Sequence, residues 1–362
     1  MEPTTPSNAP RSSKHPDQVD LSQLDDYTVI IDVRSPAEYA LDHMPGAINC
    51  PVLDDEERIR VGTLYKQVSP FEAKKVGAAL VSKNIARHLE EQFIHHDKQW
   101  KPLIYCWRGG SRSGAMTTVL RQVGWPAAQL KGGYKVFRTQ VLSDLAQWPT
   151  RFQYRVVCGE TGSAKTRLLE EIARQGGQVL DLETLACHKG SVLGVLPGQS
   201  QPSQKLFETR VWNVLRTLNP EKPVYIEAES KKIGSLRVPE TLIECMREQG
   251  TVLRIEAPVA ARVDYLLRDY DYFLSQPELL KTQLGFLYSL HGQAVLAQWN
   301  AWVDAAAWPD LVTDLLVNHY DPAYRKSTAH NLKGYDQATV FAVDALDDAA
   351  LRTLAVQVLA RG

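Results

Sequence analysis

The sequence is poor in cysteine and lacks the spacings by which cysteine and histidine usually bind zinc. Its five cysteines are Cys50, Cys106, Cys158, Cys187 and Cys245. None forms a C-x-x-C pair, and the nine histidines include no H-E-x-x-H, so we expect no zinc site. Sparse thiols in odd number suit a reducing compartment, where a reactive cysteine stays free. We therefore predict a cytoplasmic protein.

Long apolar runs and a large net charge are also absent. No apolar stretch approaches the roughly 18 residues that cross a bilayer, so we predict no membrane partner. The formal net charge is -1 at pH 7, so any phosphate binding has to come from local patches. Residues 1–18 are rich in Pro, Ser and Thr and lack a signal-peptide core, which predicts a disordered tail.

The chain of 362 residues is long enough for two domains. A β-branched strand is predicted at 28–34, and a capped helix follows it. A second strand-loop-helix pattern begins at 154. Later strands and helices alternate at 179–182, 204–218, 224–227, 239–249, 252–255 and 258–270. This alternation favours an α/β fold with parallel sheets. We predict domains at 19–148 and 149–362, the second with a mainly helical stretch at 277–320.

A loop rich in glycine and arginine follows the predicted strand 102–105. It reads Cys106-Trp107-Arg108-Gly109-Gly110-Ser111-Arg112-Ser113 and leads into a predicted helix. Such a loop points backbone amides inward, and the start of the helix adds positive potential, so the loop favours an anion. We predict that Cys106 is a thiolate of low pKa, reachable from solvent and stabilised by Arg112. The candidate catalytic loop also includes Arg108, Gly109 and Gly110.

A purely structural role is the alternative for Cys106, because lone cysteines are usually buried core residues. The two glycines and two arginines of the loop have no purpose in core packing, and we therefore prefer the reactive interpretation. Trp107 is interpreted either as a wall of the site or as a core residue.

A second loop, at 159–166, is close to the Walker A pattern of phosphate-binding loops. It matches G-x-x-x-x-G-K-[ST] except that Ala164 replaces the second glycine. If that position needs a left-handed backbone, alanine costs about 1 kcal/mol. Thr166 is also expected to bind Mg²⁺, helped by Glu227 or Glu229 after a predicted strand. The predicted phosphate-binding residues are Gly159, Thr161, Gly162, Ser163, Lys165 and Thr166.

Two interpretations are open for the basic residues of this half. The second loop is either a phosphate site or a glycine turn with a solvated Lys165. Arg262 and Arg268 lie on a predicted helix, from which they either support the site by reaching phosphates or form part of a solvated face.

Together these motifs resemble those of bacterial tRNA 2-selenouridine synthases, from about Val29 to Tyr324. The first-half segments that carry the resemblance are 32–36, 43–49, 61–66, 106–113 and 132–135. The second-half segments are 201–205, 227–234 and 320–324. The resemblance implies a rhodanese-like domain followed by a P-loop NTPase-like parallel-sheet domain with a helical C-terminal part. It also makes Asp32 and Arg34 supporting residues of the first site.

For function, the resemblance implies conversion of 2-thiouridine at the wobble position of tRNA into 2-selenouridine. Geranyl diphosphate alkylates the sulfur, and selenium from selenophosphate then replaces the geranylthio group, with Cys106 as the residue that carries selenium. The implied partners are tRNA with 2-thiouridine at position 34 and selenophosphate synthetase. Residues that either form walls for the geranyl group or belong to the core are Phe207, Trp212 and Tyr265. Residues that either contact the tRNA backbone or are surface charges are Lys231, Lys232, Arg325 and Lys326.

Two other functions are open. Five residues separate Cys106 from Arg112, one more than in the C-x4-R loop of rhodaneses and as many as in the C-x5-R loop of cysteine phosphatases and arsenate reductases. A C-x5-R enzyme with a nucleotide-binding domain is the first alternative, although Tyr105 stands where those phosphatases usually carry histidine. The second is a non-enzymatic module with an inactive rhodanese domain, and the intact Cys106 and Arg112 argue against it. In our preferred interpretation, the longer loop accommodates the phosphate of selenophosphate.

Overall fold

The computed structural model describes residues 17–191 and 193–361, with the side chains of 327–330 left out. The chain divides into two compact units between Val141 and Leu142, a few residues before the predicted boundary. The predicted tail lies largely outside the described residues. Its end is nevertheless wrong, because Gln18 pairs with Gln129 as part of a sheet.

The first unit contains a five-stranded sheet in the order β1-β5-β4-β2-β3, with every adjacent pair parallel. All residues of β4 are buried, as expected for a central strand covered by helices on both faces. The carboxyl end of β4 leads directly into the loop that begins with Cys106. The strands are Gln18–Val19 (β1), Val29–Asp32 (β2), Ala47–Asn49 (β3), Pro102–Tyr105 (β4) and Ala128–Leu130 (β5).

The helices of this part begin where the sequence supplies caps. The predicted capping box at α1 is confirmed, because Ser35 and Glu38 pair reciprocally at its first turn. Helix α4 begins directly after Gly110 and ends at Val123, where Gly124 caps it with a left-handed backbone. The helices are Pro36–Leu41 (α1), Asp55–Gln67 (α2), Pro70–His88 (α3), Ser111–Val123 (α4) and Gly133–Gln147 (α5).

The second unit has its own five-stranded parallel sheet, in the order β12-β11-β6-β8-β7. The predicted strands at 179–182, 224–227 and 252–255 correspond to β7, β8 and β11. A small antiparallel pair, β9 and β10, lies outside this sheet. The strands are Tyr154–Cys158 (β6), Gln178–Leu180 (β7), Val224–Glu227 (β8), Lys232–Ile233 (β9), Leu236–Arg237 (β10), Thr251–Glu256 (β11) and Thr339–Ala342 (β12).

The helices of the second unit follow the predicted alternation, and the stretch 277–320 is mainly helical as predicted. The sequence did not indicate β12 or α16, with which the chain returns to the sheet. Among the described residues, no helix is both long enough and apolar enough to cross a bilayer. The helices are Lys165–Arg174 (α6), Leu182–Ala186 (α7), Gln204–Leu215 (α8), Glu240–Gln249 (α9), Val259–Asp269 (α10), Asp271–Leu274 (α11), Pro277–Gly285 (α12), Tyr288–Asp304 (α13), Trp308–Leu315 (α14), Asp321–Asn331 (α15) and Asp348–Arg361 (α16).

An ion pair between Asp32 and Arg34 is buried at the carboxyl end of β2. The two side chains are 0% and 1% exposed, and the Arg34 Nη2 lies 2.6 Å from Asp32 Oδ2. The same nitrogen donates to the carbonyl oxygen of Asp42 (2.7 Å), and the guanidinium lies 4.0 Å from the centre of the Tyr134 ring. Both supporting residues are thus placed as a structural pair that joins β2 to α5.

We predict that Arg34→Met destabilises the first unit by about 3–5 kcal/mol, because it leaves the Asp32 carboxylate buried without its partner. The measurement is the free energy of unfolding in urea. Lys66→Met, at an exposed position of the same unit, should change it by less than about 0.5 kcal/mol. Equal stability of the two variants would contradict the structural role.

Candidate functional site

The sulfur of Cys106 lies between the end of β4 and the start of α4. Its Sγ accepts hydrogen bonds from the backbone amide of Gly110 (3.3 Å) and from the hydroxyl of Ser113 (3.1 Å). The side-chain amide of Gln129 donates to that hydroxyl (2.8 Å), for which the sulfur is a closer acceptor than the carbonyl oxygen of Gly110 (3.4 Å). A sulfur that receives two hydrogen bonds at a helix N-terminus is well placed to be an anion.

The acidity of Cys106 reflects two opposing effects. Burial raises the pKa of the thiol, but the hydrogen bonds from Ser113 and Gly110 and the charge of Arg112 outweigh it, so that the pKa is lowered. The direction is the predicted one. The expectation of an exposed sulfur is wrong, because Cys106 is 4% exposed and packs with the core of the first unit. The neighbouring loop residues 107–111 are half-buried or exposed.

Glycines hold the loop against the start of α5. Gly109 has a φ of +62°, and a Cβ there would lie 2.5 Å from a backbone carbonyl oxygen of β5. A Cβ at Gly133 would collide with the carbonyl oxygen of Cys106. That same oxygen accepts a hydrogen bond from the amide of Tyr134 (2.9 Å). Both positions therefore require glycine, and the loop has little freedom to move.

Arg112 is paired with Glu38. Its Nη1 and Nη2 donate to the carboxylate at 2.6 and 3.3 Å. Burial raises the pKa of Glu38, but the hydrogen bonds and charge of Arg112 lower it overall. In the sequence, Glu38 is visible only as a helix-capping residue, and nothing there indicates its pairing with an arginine so far along the chain. Arg112 thus acts on Cys106 through its charge, from a position fixed by Glu38.

Trp107 and Arg108 form the outer rim of the loop. Trp107 is 37% exposed, and its ring centre lies 5.2 Å from that of Tyr134. It is therefore a wall of the site and not a core residue. Arg108 is exposed beside it.

The second loop connects β6 to α6. Ala164, the departure from the Walker pattern, has φ 56° and ψ 32°, so the expected cost of a left-handed alanine, about 1 kcal/mol, applies. The Lys165 Nζ lies 3.1 Å from the carbonyl oxygen of Gly159 and 3.5 Å from Glu227 Oε1. The lysine therefore folds back over the loop instead of extending into solvent.

Four of the six predicted phosphate-binding residues line one pocket, here called the phosphate pocket: Thr161, Gly162, Lys165 and Thr166. Gly159 and Ser163 are buried in the loop itself. The amide of Gly159 donates to the hydroxyl of Tyr324 (2.6 Å), and Ser163 is 1% exposed. These two residues shape the loop and do not line the pocket.

Arg262 holds the loop from behind. It is 1% exposed, which excludes the solvated-face interpretation. Its Nη1 lies 2.7 Å from Asp321 Oδ1 and donates to the carbonyl oxygen of Thr161 (3.1 Å). The arginine therefore positions the loop. Arg268 is exposed and donates to the carbonyl oxygens of Asp264 and Leu346 (both 3.2 Å), so the structure does not bring it to the phosphate pocket.

Glu183, Glu227 and Glu229 meet beside Thr166 and are here called the carboxylate cluster. One oxygen from each lies within 4.8 Å of the others, and the Thr166 hydroxyl lies 3.0 Å from Glu183 Oε2 and 3.2 Å from Glu227 Oε2. Burial raises the pKa of all three, and neighbouring carboxylates raise that of Glu229 further, to about 8. Carboxylate and hydroxyl oxygens are the ligands that Mg²⁺ prefers, so these residues fit the expected ion.

Glu183 is a candidate that the sequence analysis missed. It lies in the first turn of α7, just after β7, and β7 pairs with β8, which ends at Glu227. The carboxyl ends of adjacent parallel strands meet at one edge of a sheet, where ligands usually bind. An acidic residue just after the predicted strand 179–182 was the available signal, but only the strand order brings it to the site.

The remaining candidates fall in different places. Phe207 and Trp212 are 0% and 6% exposed, and the Trp212 Nε1 donates to Asp144 (2.8 Å), so both are core residues. Tyr265 lines the phosphate pocket. Arg325 is paired with Glu160 (2.8 Å). The three candidate lysines of this half are exposed: Lys231, Lys232 and Lys326.

Both halves of the chain, each with one of the two sites, match models of known protein domains. A family model described as the tRNA 2-selenouridine synthase AAA domain matches residues 152–277, and a rhodanese-like domain model matches residues 16–140. A tRNA 2-selenouridine synthase of Marinobacter nauticus is 32% identical over 338 residues, which cover 82% of this chain and 87% of the relative. The chain belongs to the tRNA 2-selenouridine synthase family. The rhodanese-like match contains Cys106, and the AAA-domain match contains the second loop, residues 159–166, called the phosphate loop below after its predicted ligand.

Other family members align over different lengths. A tRNA 2-selenouridine synthase of Hydrogenovibrio crunogenus is 33% identical over 82% of this chain and 88% of the relative. One from Nitrosomonas europaea is 37% identical over 249 residues and 67% of this chain. In that alignment the chain spans 63% of the length of the relative.

We predict that Ser113→Ala raises the pKa of Cys106. The change removes a hydrogen bond to an anion, an interaction that contributes about 1.5–3 kcal/mol. The rate of thiol labelling, measured against pH with a small alkylating reagent, should reach its midpoint at a higher pH than in the wild type. Ser111→Ala, at an exposed position of the same loop, is the matched control and should leave the midpoint unchanged. Identical midpoints for the Ser113 variant and the wild type would contradict the assigned role.

A second prediction concerns pH and stability. Because the pKa of Glu229 is about 8 when folded and near 4.5 when unfolded, the folded protein binds more protons between these values. Its stability without Mg²⁺ should therefore fall as pH rises from about 4.5 to 8. Glu229→Gln should remove part of this fall and raise the free energy of unfolding at pH 8 by on the order of 2 kcal/mol.

The measurement is urea unfolding at pH 5.5 and pH 8, with exposed Glu221→Gln as the control. If Glu229→Gln kept the pH dependence of the wild type, ionisation of Glu229 would not be what destabilises the folded protein.

Proposed function

We propose that this protein converts 2-thiouridine at the wobble position of tRNA into 2-selenouridine. The observation that carries the proposal is the sulfur of Cys106, hydrogen-bonded by Ser113 and Gly110 and made more acidic than an ordinary thiol. A soft nucleophile held as an anion at a helix N-terminus suits the transfer of selenium. Membership of the family supports the same conclusion, and a tRNA substrate implies reaction in the cytoplasm.

In the first step of the proposal, the sulfur of 2-thiouridine attacks the geranyl carbon of geranyl diphosphate, and diphosphate leaves. Lys165 and the amides of the phosphate loop hold the diphosphate and stabilise the charge that develops on it. Thr166 and the carboxylate cluster would hold Mg²⁺, which adds further positive charge next to the leaving group. No nucleotide hydrolysis is required by either step.

In the second step, the selenium of selenophosphate attacks C2 of the geranylated base and geranylthiol leaves. Water then cleaves the phosphorus–selenium bond and phosphate is released, with the Cys106 thiolate in the loop that would hold the selenium donor. Arg112 and Arg108 contribute positive charge around the loop, where the phosphate of selenophosphate would be recognised. Glu38 fixes the guanidinium of Arg112 and so helps to define the position of that charge. Selenophosphate synthetase is the proposed supplier of the selenium donor.

We predict that the two steps can be separated by mutation. Lys165→Ala should lower geranylation by at least about 100-fold, because it removes the charge that stabilises the leaving diphosphate. Cys106→Ala should leave geranylation intact and abolish selenation. The measurement is mass analysis of wobble nucleosides after 2-thiouridine tRNA is incubated with purified protein, geranyl diphosphate, Mg²⁺ and selenophosphate.

Matched controls are available for both variants. Cys245 is also 4% exposed, and Lys222 is an exposed lysine of the same unit as Lys165. Their alanine variants should form both products. Geranylated tRNA from Lys165→Ala at the wild-type rate would contradict the division of labour. Hydrolysis of a generic aryl phosphate by the wild type, without selenation, would instead favour the phosphatase interpretation.

A further inference from the structure

An apolar cavity adjoins the phosphate pocket. The two spaces share five lining residues: Thr161, Ser191, Leu266, Tyr270 and Tyr320. The other walls of the cavity are aliphatic or aromatic side chains, contributed mainly by α10, α11, α12 and α14. The cavity has a volume of about 70 Å³, several times what one water molecule needs. The apolar space therefore lies directly beside the phosphate pocket, and the hydroxyl-bearing residues of its lining are the ones that the two spaces share.

The cavity extends along a helix away from the phosphate loop. Tyr320 is one of the shared residues, and the chain before it is helical back to Trp308. Trp308 lines the cavity but not the phosphate pocket. Twelve residues separate the two, a length of roughly 18 Å along a helix. Val312 lies between them on the same wall. Depth in the cavity is therefore measured along the helical segment 308–320, from Tyr320 at the phosphate end to Trp308.

The walls select against polar ligands. The hydroxyl groups that line the cavity belong to shared residues, Thr161 and Tyr270 among them, and lie at the phosphate end. A nucleobase or ribose farther along would lose its hydrogen bonds to water without gaining others, which is costly. A hydrocarbon chain has no hydrogen bonds to lose and gains from leaving water.

We infer that this cavity holds the apolar chain of a prenyl diphosphate whose diphosphate is bound by the phosphate loop, and that Val312 and Trp308 limit the length of chain that fits. The inference rests on the proposed function and assigns it a site. Of the two interpretations open for Phe207 and Trp212, wall of this site or core, the structure supports core, since both are buried on α8.

Filling the cavity tests the inference without opening the core. Val312→Phe adds apolar volume to the cavity wall, while Val317→Phe makes the same change at a position that is 47% exposed and follows α14 directly. Binding of geranyl diphosphate and of inorganic diphosphate to the full-length proteins is measured by calorimetry with Mg²⁺. Inorganic diphosphate reports whether each variant keeps a working phosphate loop.

The wild type should bind geranyl diphosphate at least about 100-fold more tightly than inorganic diphosphate, because each buried methylene strengthens binding by up to roughly fourfold. Val312→Phe should reduce this preference by about tenfold or more, with inorganic diphosphate bound as in the wild type. Dimethylallyl diphosphate, which is one isoprene unit shorter, should be affected less. Val317→Phe should behave as the wild type with all three ligands.

The possible failures are distinguishable. Inorganic diphosphate that does not bind the wild type would contradict the role of the phosphate loop, and with it the proposed function. Diphosphate that binds equally well with and without the geranyl chain would overturn the inference alone. Unchanged geranyl preference in Val312→Phe, with inorganic diphosphate still bound, would show that the cavity is a packing gap among the helices and that the chain lies elsewhere.

Discussion

The amide groups that begin a helix have no carbonyl partners within it, and both units place such a helix directly after a central parallel strand. In the first unit, β4 leads to α4 and the sulfur of Cys106 receives the Gly110 amide. In the second, β6 leads to α6 and the side chain of Lys165, at the start of α6, folds back over the loop between them. Since each strand is buried and flanked on both sides, the position of the helix start is fixed by the sheet. The chemistry of both sites depends on this placement.

Each loop is also braced by an arginine held by a carboxylate. Glu38 fixes Arg112 beside the Cys106 loop, and Asp321 fixes Arg262 behind the phosphate loop. In both cases the carboxylate comes from a helix far from the loop in sequence. A buried arginine with a bidentate partner has few rotamers left, and its charge therefore acts from a defined point. The arginines contribute position as well as charge.

Local features of the sequence were enough to predict both loops. A strand, a glycine-rich loop and a helix follow one another in the sequence around Cys106 and around Lys165. The end of another buried strand, 224–227, indicated Glu227 and Glu229. The α/β class with parallel sheets followed from the same alternation. The family models that match the two halves agree with this assignment.

What the sequence could not predict are contacts made by strand order and helix packing. Glu183 joins Glu227 only because β7 pairs with β8. Arg262 has the helical position of a surface residue, and its burial depends on Asp321, which lies several helices later. The apolar cavity likewise lies between helices. In the sequence, their apolar faces cannot be distinguished from faces that pack in an ordinary core. Ala164, by contrast, was recognised as a departure from the pattern, and its left-handed backbone explains why glycine is usual there.

The contact of Gly133 with the Cys106 loop has a consequence for how this loop can evolve. A Cβ at either Gly109 or Gly133 would meet backbone atoms of the opposite segment, so the two turns are fitted to each other along their main chains. Inserting or deleting a residue in one turn would displace the other. A Cys106 loop of different length can therefore be introduced only together with a matching glycine turn before α5. The two segments are expected to change together.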